Sequence, residues 1–373
     1  MAAFLHRFSL VSDRLVRAQA KEPTGVLNNI QNLRALAAYA VVAYHCLIRF
    51  LHPADTLGRS YLDLPSGGVD LFFVISGFVM VHTTRDDETP AWFATKRIAR
   101  IVPLYWLATL AVIALVIIRP WTFSQALLTP DAILASLFFV PHADASGQAY
   151  PILGVGWTLN YEMMFYAMFA ISMMLPRVYR LPGVVALISV VSLTANLSGD
   201  GVIAHFYANP ILFEFAVGCV LANALRNTSV IAWVRANPVW PFALAGFAGF
   251  AILPAIVPLG QPSILRYGLP ALLLVFAAAA QDLHRTRAPE TVLTQLGDAS
   301  YSAYLLHPII IVVAAQVVLA VLGTGIVAEL ILMAIVLATT AIVSLTSMRM
   351  FEKPTAAWIR SAASRVVATG RPR

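Results

Sequence analysis

Residues 30–47 read IQNLRALAAYAVVAYHCL, an apolar stretch long enough to enter a bilayer as a single helix. The stretch carries Arg34 near its start and His45 eleven residues later. Ionisable side chains are costly in hydrocarbon, so those inside membrane helices are candidates for functional sites. Eleven residues make three helical turns plus about 20°, which places Arg34 and His45 on one stripe, about 16 Å apart along the axis. We therefore expect one helix to connect a cationic end with a histidine.

The composition extends the membrane interpretation to the whole chain. The 373 residues are 60% hydrophobic and 12% charged, whereas soluble domains are about 25% charged. Apolar stretches of 16 to 24 residues recur along the sequence between short loops that contain proline. The predicted fold class is all-α, a polytopic integral membrane protein whose surroundings are the lipid bilayer.

We predict ten transmembrane helices, at 34–51, 67–84, 101–118, 154–175, 182–198, 210–225, 239–257, 266–281, 299–322 and 326–347. Segment 131–141 is apolar but too short to cross, and we expect an interfacial or re-entrant piece there. If both termini are cytoplasmic, 21 of the 25 lysines and arginines lie inside, as the positive-inside rule requires. The expected organisation is a cytoplasmic tail (1–27), a membrane domain (28–350) and a basic cytoplasmic tail (351–373).

Charge and cysteine usage exclude other classes of function. The net charge is +7, but the basic residues bracket apolar spans, so topology explains them and no nucleic-acid partner is expected. Cys46 and Cys219 both lie inside apolar runs and have no metal-ligand spacing. We therefore expect no metal site.

Two acids are predicted to lie at the depth of His45. Asp70, in SGGVDLFFVISGFVM, and Glu162, in GVGWTLNYEMMFYAMF, both fall in the outer half of their spans. A carboxylate that binds one ring nitrogen of a histidine leaves the other nitrogen as a general base. His45, Asp70 and Glu162 are therefore the catalytic candidates, and mutual neutralisation of the three charges is the alternative.

A basic cluster precedes the third predicted span. TKRIARIVPLYW places Arg97 and Arg100 three residues apart on a helix, where both can contact one phosphate group. With Arg34 they would form a cytoplasmic site for a polyphosphate such as coenzyme A. Anchoring of the helix by positive charge is the alternative.

Other polar residues inside the spans are candidates for substrate binding: Ser76, Trp157, Tyr301, Tyr304 and His307. Each has a structural alternative, because small residues allow close helix packing and aromatic residues favour the membrane interface. Glu214, early in the sixth span, is a weaker candidate without an obvious partner.

Five pieces of the sequence, in order between residues 29 and 310, resemble the motifs of the type-three membrane acyltransferase family, whose members modify surface and secreted carbohydrates. They are NIQNLRALAAYAVVAYHCL, GGVDLFFVISGFVM, KRIARIVPLYW, GVGWTLNYEMMFYAMF and ASYSAYLLHPI. The form WTLNYEMMFY is similar to the branch that acts on bacterial exopolysaccharide.

The resemblance implies an enzyme of the bacterial inner membrane. It would move an acyl group, commonly acetyl, from cytoplasmic acyl-CoA to a hydroxyl of an exported polysaccharide or its lipid-linked precursor. Arg34 and His45 match the family's essential pair, and Arg97 and Arg100 match its basic motif. The family's other motif positions fall on Asp70, Ser76, Trp157, Glu162, Tyr301 and Tyr304.

Two other functions would be consistent with the same polar residues. A proton-coupled transporter would use intramembrane His, Asp and Glu side chains as a relay, and an acyltransferase could act on a lipid or protein acceptor. The sequence leaves open the acceptor sugar, the acyl group, the oligomeric state, the carboxylate partner of His45, and the choice between a ternary complex and a covalent intermediate.

Overall fold

The computed structural model of the chain describes residues 27–48, 64–119, 123, 128–258, 263–284 and 289–369. This described part consists of helices and connecting turns without a strand, which confirms the predicted all-α class. Its first helices are α1 (Asn28–Leu47), α2 (Gly68–Thr83), α3 (Pro90–Ile118), α4 (Pro130–Leu137), α5 (Trp157–Ser172), α6 (Arg177–Leu197) and α7 (Val202–Ala208). They are followed by α8 (Leu212–Ala224), α9 (Thr228–Ala236), α10 (Trp240–Ile256), α11 (Leu269–His284), α12 (Val292–Asp298), α13 (Ser300–Leu322), α14 (Ile326–Ser347) and α15 (Lys353–Thr369).

The helices are those of a multi-pass membrane protein. Within the described residues, six helices are long and apolar enough to cross a membrane, or seven if the pair α9 and α10, bent by 90°, forms one span. Each of the ten predicted spans overlaps a helix, although residues 49–51 of the first span, like nearly all of the predicted tail 1–27, lie outside the described residues. Helices α2 and α5 are only 16 residues long, and α1 is interrupted by polar residues. The count of ten spans and the cytoplasmic position of both termini remain predictions.

The segment predicted not to cross, 131–141, contains the short helix α4. Its eight residues extend over about 12 Å, well short of a bilayer. The segment is fixed to the bundle at Ser136, which is fully buried. The Ser136 carbonyl accepts a hydrogen bond from the Tyr105 hydroxyl at 3.0 Å, and its hydroxyl accepts one from the Ile152 amide at 3.0 Å.

Helix α1 lies in the centre of the bundle, in contact with α2, α11, α12 and α13. Its start is fixed by Asp282 of α11, which accepts hydrogen bonds from the amides of Asn29 and Ile30 at 2.9 and 3.2 Å. The same carboxylate accepts a bond from the Asn29 side chain at 2.8 Å. A carboxylate at a helix N-terminus satisfies donors that have no partner inside the helix. This contact sets the height of Arg34 in the bundle.

Helices α2 and α8 approach each other so closely that their backbones touch. A Cβ atom added to Gly77 would lie 2.0 Å from the Phe215 carbonyl oxygen, and one added to Gly218 would lie 2.1 Å from that of Val74. Small residues permit such contacts between membrane helices. Gly77 therefore serves packing, and the preceding Ser76 points to the other side of α2, into the internal cavity described below.

We expect Gly77→Ala to destabilise the protein strongly, because the added methyl group meets a backbone carbonyl that cannot change rotamer. Overpacking costs about 1–3 kcal/mol where side chains can adjust, and this site should lie at or above the upper end of that range. The measurement is the thermal unfolding midpoint in detergent. Gly154→Ala is the matched control, because nothing lies within 4 Å of the Cβ position there. Equal midpoints for the two variants would contradict the close contact.

Candidate active site

An internal cavity of about 90 Å³ brings together side chains from α1, α2, α3, α5 and α13. A single water needs about 10–15 Å³ by the same measure, so the cavity holds several water-sized groups in a row. Its wall is apolar on the side of α2, where Phe72, Phe73, Val79 and Met80 line it. The polar residues that line it are Arg34, Ser76, Arg97, Arg100, Thr158, Glu162, Tyr166, Ser300, Tyr301 and Tyr304. All five sequence motifs therefore contribute to the cavity.

Three arginines at the cavity share one property. Within the described residues, none of the guanidinium groups of Arg34, Arg97 and Arg100 forms an ion pair shorter than 4.0 Å. Arg34 donates only to the Gln31 side chain, at 2.8 Å. The neighbouring lysine of the same motif, Lys96, is instead paired with Glu88 at 2.8 Å. The arrangement leaves positive charge at the cavity for an anionic ligand.

The start of α3 determines where Arg97 and Arg100 point. Thr89 caps the helix by accepting a hydrogen bond from the Trp92 amide at 3.2 Å, and Pro90 occupies the first helical turn, as is common at N-termini. Arg97 is 8% exposed and donates to the Thr83 hydroxyl at 3.1 Å.

Aromatic rings hold the Arg97 guanidinium in place. Its central carbon lies 5.0 Å from the ring centre of Phe93 and 5.5 Å from that of Tyr166. Cation–π contacts of this kind stabilise a cation without neutralising it. Tyr166 also donates a hydrogen bond to Glu162.

Helix α13 carries three predicted residues at intervals of three. The Tyr301 hydroxyl donates to the Ile101 carbonyl at 2.6 Å. The Tyr304 hydroxyl donates to the Val155 carbonyl at 3.0 Å and accepts from Thr158 at 3.0 Å. Both tyrosines line the cavity, and their hydroxyls are occupied by structural hydrogen bonds, so their rings form the wall.

His45 and His307 form a pair beyond Tyr304. The Nε2 atom of His307 lies 3.3 Å from Nδ1 of His45, and the ring centres are 4.9 Å apart. The ring of Tyr304 lies 5.9 Å from that of His307. Tyr304 thus lies between a residue of the histidine pair, His307, and the cavity that it lines.

The structure does not bring Asp70 or Glu162 to His45. The partners of His45 within the described residues are the Val41 carbonyl and His307. Glu162 lies instead in the electrostatic field of Arg34 and Arg97. The prediction compared the depths of these residues by counting along each helix separately. Such counts show neither how far each helix is shifted along the bundle nor which of its sides faces His45.

Asp70 belongs to a second buried group. Its carboxyl interacts electrostatically with that of Glu214 and with Arg266. Asp70 is 3% exposed and Glu214 is 1% exposed. Glu214, for which the sequence offered no obvious partner, thus lies beside Asp70, and neither acid lines the cavity.

Two further residues differ from expectation. Trp157 packs edge-to-face on Tyr161, with ring centres 5.8 Å apart, and it is not part of the cavity wall.

Glu352, which sequence analysis assigned to the cytoplasmic tail, accepts a hydrogen bond from Ser302 of α13. It lies in the electrostatic field of Arg34 and Arg100. The sequence feature that could have pointed to Glu352 is that it is the single acidic residue in the basic segment after residue 347.

Comparison with known proteins places the chain in a family. Residues 27–349 match the family model described as an acyltransferase domain. The chain belongs to this acyltransferase family. The match confirms the resemblance drawn from the five motifs, and the protein is accordingly a membrane acyltransferase.

Three named proteins match most of this chain. The exopolysaccharide production protein ExoZ of Rhizobium meliloti (strain 1021) is 36% identical over 306 residues, which are 81% of this chain and 93% of that protein. The acyltransferase MdmB of Streptomyces mycarofaciens is 28% identical, over 76% of this chain and 79% of its own length. The O-acetyltransferase OatA of Staphylococcus aureus (strain NCTC 8325 / PS 47) is 26% identical, over 77% of this chain and 51% of its own length. No solved structure matches the chain significantly.

Proposed function

We propose that this acyltransferase moves an acyl group, in the simplest case acetyl, from acyl-CoA to a hydroxyl of an exported polysaccharide or its lipid-linked precursor. Under this proposal the enzyme lies in the bacterial inner membrane with its arginine cluster on the cytoplasmic side. The observation that carries the proposal is the set of three arginines that line the cavity without an ion pair to any described residue. Tyr304 lines the same cavity, and its ring lies 5.9 Å from that of His307 in the histidine pair.

The cavity suits the reactive end of acyl-CoA and not the whole molecule. Its volume of about 90 Å³ has room for several water-sized groups, and its apolar wall along α2 matches an uncharged thioester arm. Phosphates would remain at the mouth, where Arg34 and Arg100 are partly exposed and can form charge-assisted hydrogen bonds. Arg97, held between two aromatic rings, adds a fixed positive charge behind them.

His45 would act as the general base. As the acceptor hydroxyl oxygen bonds to the thioester carbonyl carbon, its proton passes to Nε2 of His45. The C–S bond then breaks, and the proton moves from His45 to the leaving sulfur, which gives the ester and free CoA. No net proton is consumed. A transient acyl group on His45 would reach the same products in two steps.

The other predicted site residues have supporting roles under this proposal. Ser76 presents the one hydroxyl of α2 in the cavity wall, where it can hydrogen-bond the thioester. Glu162, bonded to Tyr166, limits the repulsion among the arginines. Tyr301 and Tyr304 shape the channel, whereas Asp70 and Trp157 support the helices around it.

Support for a carbohydrate acceptor comes from the relatives, since ExoZ is named for exopolysaccharide production. Membership of an acyltransferase family favours the enzyme over the proton-coupled transporter that the intramembrane acids and histidines suggested. A lipid or protein acceptor would use the same donor site and the same base.

The test uses purified protein in nanodiscs with acetyl-CoA labelled in the acetyl group and envelope glycolipids or polysaccharide as acceptor. We expect label in the carbohydrate fraction with the wild type and a loss of at least about 100-fold with His45→Gln, because a general base contributes about 10²–10⁴-fold. His205→Gln is the matched control, since His205 is exposed on the short helix α7. Transfer of the label into lipid or protein alone would contradict a carbohydrate acceptor. Activity retained in His45→Gln would exclude His45 as the general base.

Arg100→Gln should raise the KM for acetyl-CoA with little change in kcat. A hydrogen bond to a charged group contributes about 1.5–3 kcal/mol, which corresponds to roughly 10- to 100-fold in affinity. Arg177→Gln is the control, because Arg177 is exposed and paired with Asp86 at 2.8 Å outside the cavity. A KM unchanged by Arg100→Gln would contradict phosphate binding at this mouth.

Glu352→Gln should lower the KM for acetyl-CoA. The carboxylate lies in the field of Arg34 and Arg100, so it competes with an anionic donor, and the glutamine keeps an acceptor for Ser302. We expect a decrease of about fivefold, equivalent to about 1 kcal/mol of charge interaction. The exposed Glu290 provides the control variant Glu290→Gln. A higher KM in Glu352→Gln than in this control would show that Glu352 assists donor binding.

A further inference from the structure

The contact between His45 and His307 joins the last turn of α1 to the second turn of α13. Nε2 of His307 faces Nδ1 of His45 at 3.3 Å, and the ring planes are tilted by 53°. His307 is completely buried, whereas His45 is half-buried. Within the described residues His45 has no carboxylate partner, so the group that orients it is another imidazole.

Backbone carbonyls determine which ring nitrogen carries the proton in each histidine. Nδ1 of His45 lies 2.9 Å from the Val41 carbonyl oxygen, and Nδ1 of His307 lies 3.2 Å from that of Ala303. A carbonyl oxygen can only accept, so both Nδ1 atoms must be donors. Nε2 of His307 is then unprotonated. It accepts a hydrogen bond from the Nδ1–H group of His45, which also donates to the Val41 carbonyl.

The proline that follows His307 strengthens this assignment. Pro308 has no amide hydrogen, so the Tyr304 carbonyl lacks its usual helical donor. The ring of His307 is placed against the carbonyls of both Ala303 and Tyr304. Two acceptors beside Nδ1 favour the proton on that atom and leave Nε2 with its lone pair toward His45.

We propose that His307 is a positioning residue for His45. It shares the His45 Nδ1–H group with the Val41 carbonyl and so fixes the orientation of the ring, and it stabilises the imidazolium that forms when Nε2 accepts the hydroxyl proton. The inference rests on the proposed acyl transfer with His45 as base. It assigns to His307 the role that a carboxylate has in a Ser-His-Asp triad.

A neutral partner suits a reaction in which the base must return its proton. The charge on His45 lasts only from the attack of the hydroxyl to the departure of the sulfur. When Nε2 binds the proton, the Nδ1–H group becomes a stronger donor, and its bond to His307 becomes charge-assisted. Because His307 carries no negative charge, it stabilises the imidazolium less than a carboxylate would, so the proton passes readily to the leaving thiolate.

The kinetic test compares two substitutions of His307. His307→Leu fills the space without an acceptor, and we expect kcat to fall 10- to 100-fold with the KM for acetyl-CoA within twofold of wild type. His307→Gln offers a carbonyl oxygen to Nδ1–H and should recover at least a third of wild-type kcat. His82→Leu is the control, because it removes a half-buried histidine of α2 that stacks on Phe78 away from the pair. Equal kcat values for His307→Leu and His307→Gln would overturn the proposal.

A second measurement reads the tautomer directly and needs no turnover. In protein labelled with ¹⁵N-histidine, the nitrogen shifts of His45, assigned through His45→Gln, should show the proton on Nδ1. In His307→Leu the proton should stay on Nδ1, held by the Val41 carbonyl, but the Nδ1 shift should move because one of its two acceptors is lost, and His307→Gln should restore the wild-type shift. A wild-type His45 with its proton on Nε2 would overturn the proposal even if His307→Leu proves too unstable for kinetics.

The two proposals fail in different ways. If the wild type transfers no acyl group to any acceptor, the proposed function is wrong, and the nitrogen spectra still decide the geometry of the pair. If the wild type is active and His45→Gln is inactive while His307→Leu keeps wild-type kcat, only the role of His307 is wrong.

Discussion

The cost of placing charge in hydrocarbon is the constraint on which this bundle depends. Arg34, Arg97 and Glu162 sit on helices whose outer surfaces are apolar, so the charges must be enclosed by other helices. The enclosure is achieved by placing α1 at the centre and by gathering α2, α3, α5 and α13 around one cavity. Arg97 is stabilised by two aromatic rings and a hydrogen bond to Thr83, and Arg34 by a hydrogen bond to Gln31, so these partners hold the two positive charges in place without cancelling them.

The geometry of α13 explains how one helix can contact both the cavity and His45. Tyr301, Tyr304 and His307 follow at steps of three residues, and each step rotates the side chain back by about 60°. They therefore point in turn to α3, to the turn before α5, and to α1. The same series rises along the helix by about 4.5 Å at each step.

Asp70 and Glu162 show that the membrane depth predicted from the sequence does not identify the partner of a residue. Asp70 and Glu162 have the residue types and the predicted height that a partner of His45 requires, yet each has another task. Asp70 shares a buried site with Glu214 and Arg266. Glu162 is bonded to Tyr166 and counters the arginines. The side chain that lies against His45 is that of His307, which sequence analysis placed among the substrate contacts.

The sequence by itself determined the membrane class, the all-α fold and the family, because hydrophobic length and motif order are properties of local stretches. It also singled out Arg34, Arg97, Arg100, Ser76, Tyr301 and Tyr304, which do line one cavity. Only the tertiary structure decided that Gly77 serves helix contact, that Glu352 reaches the arginines, and that His45 pairs with His307. These outcomes depend on the rotation and axial shift of each helix against its neighbours, and packing between distant segments sets both quantities.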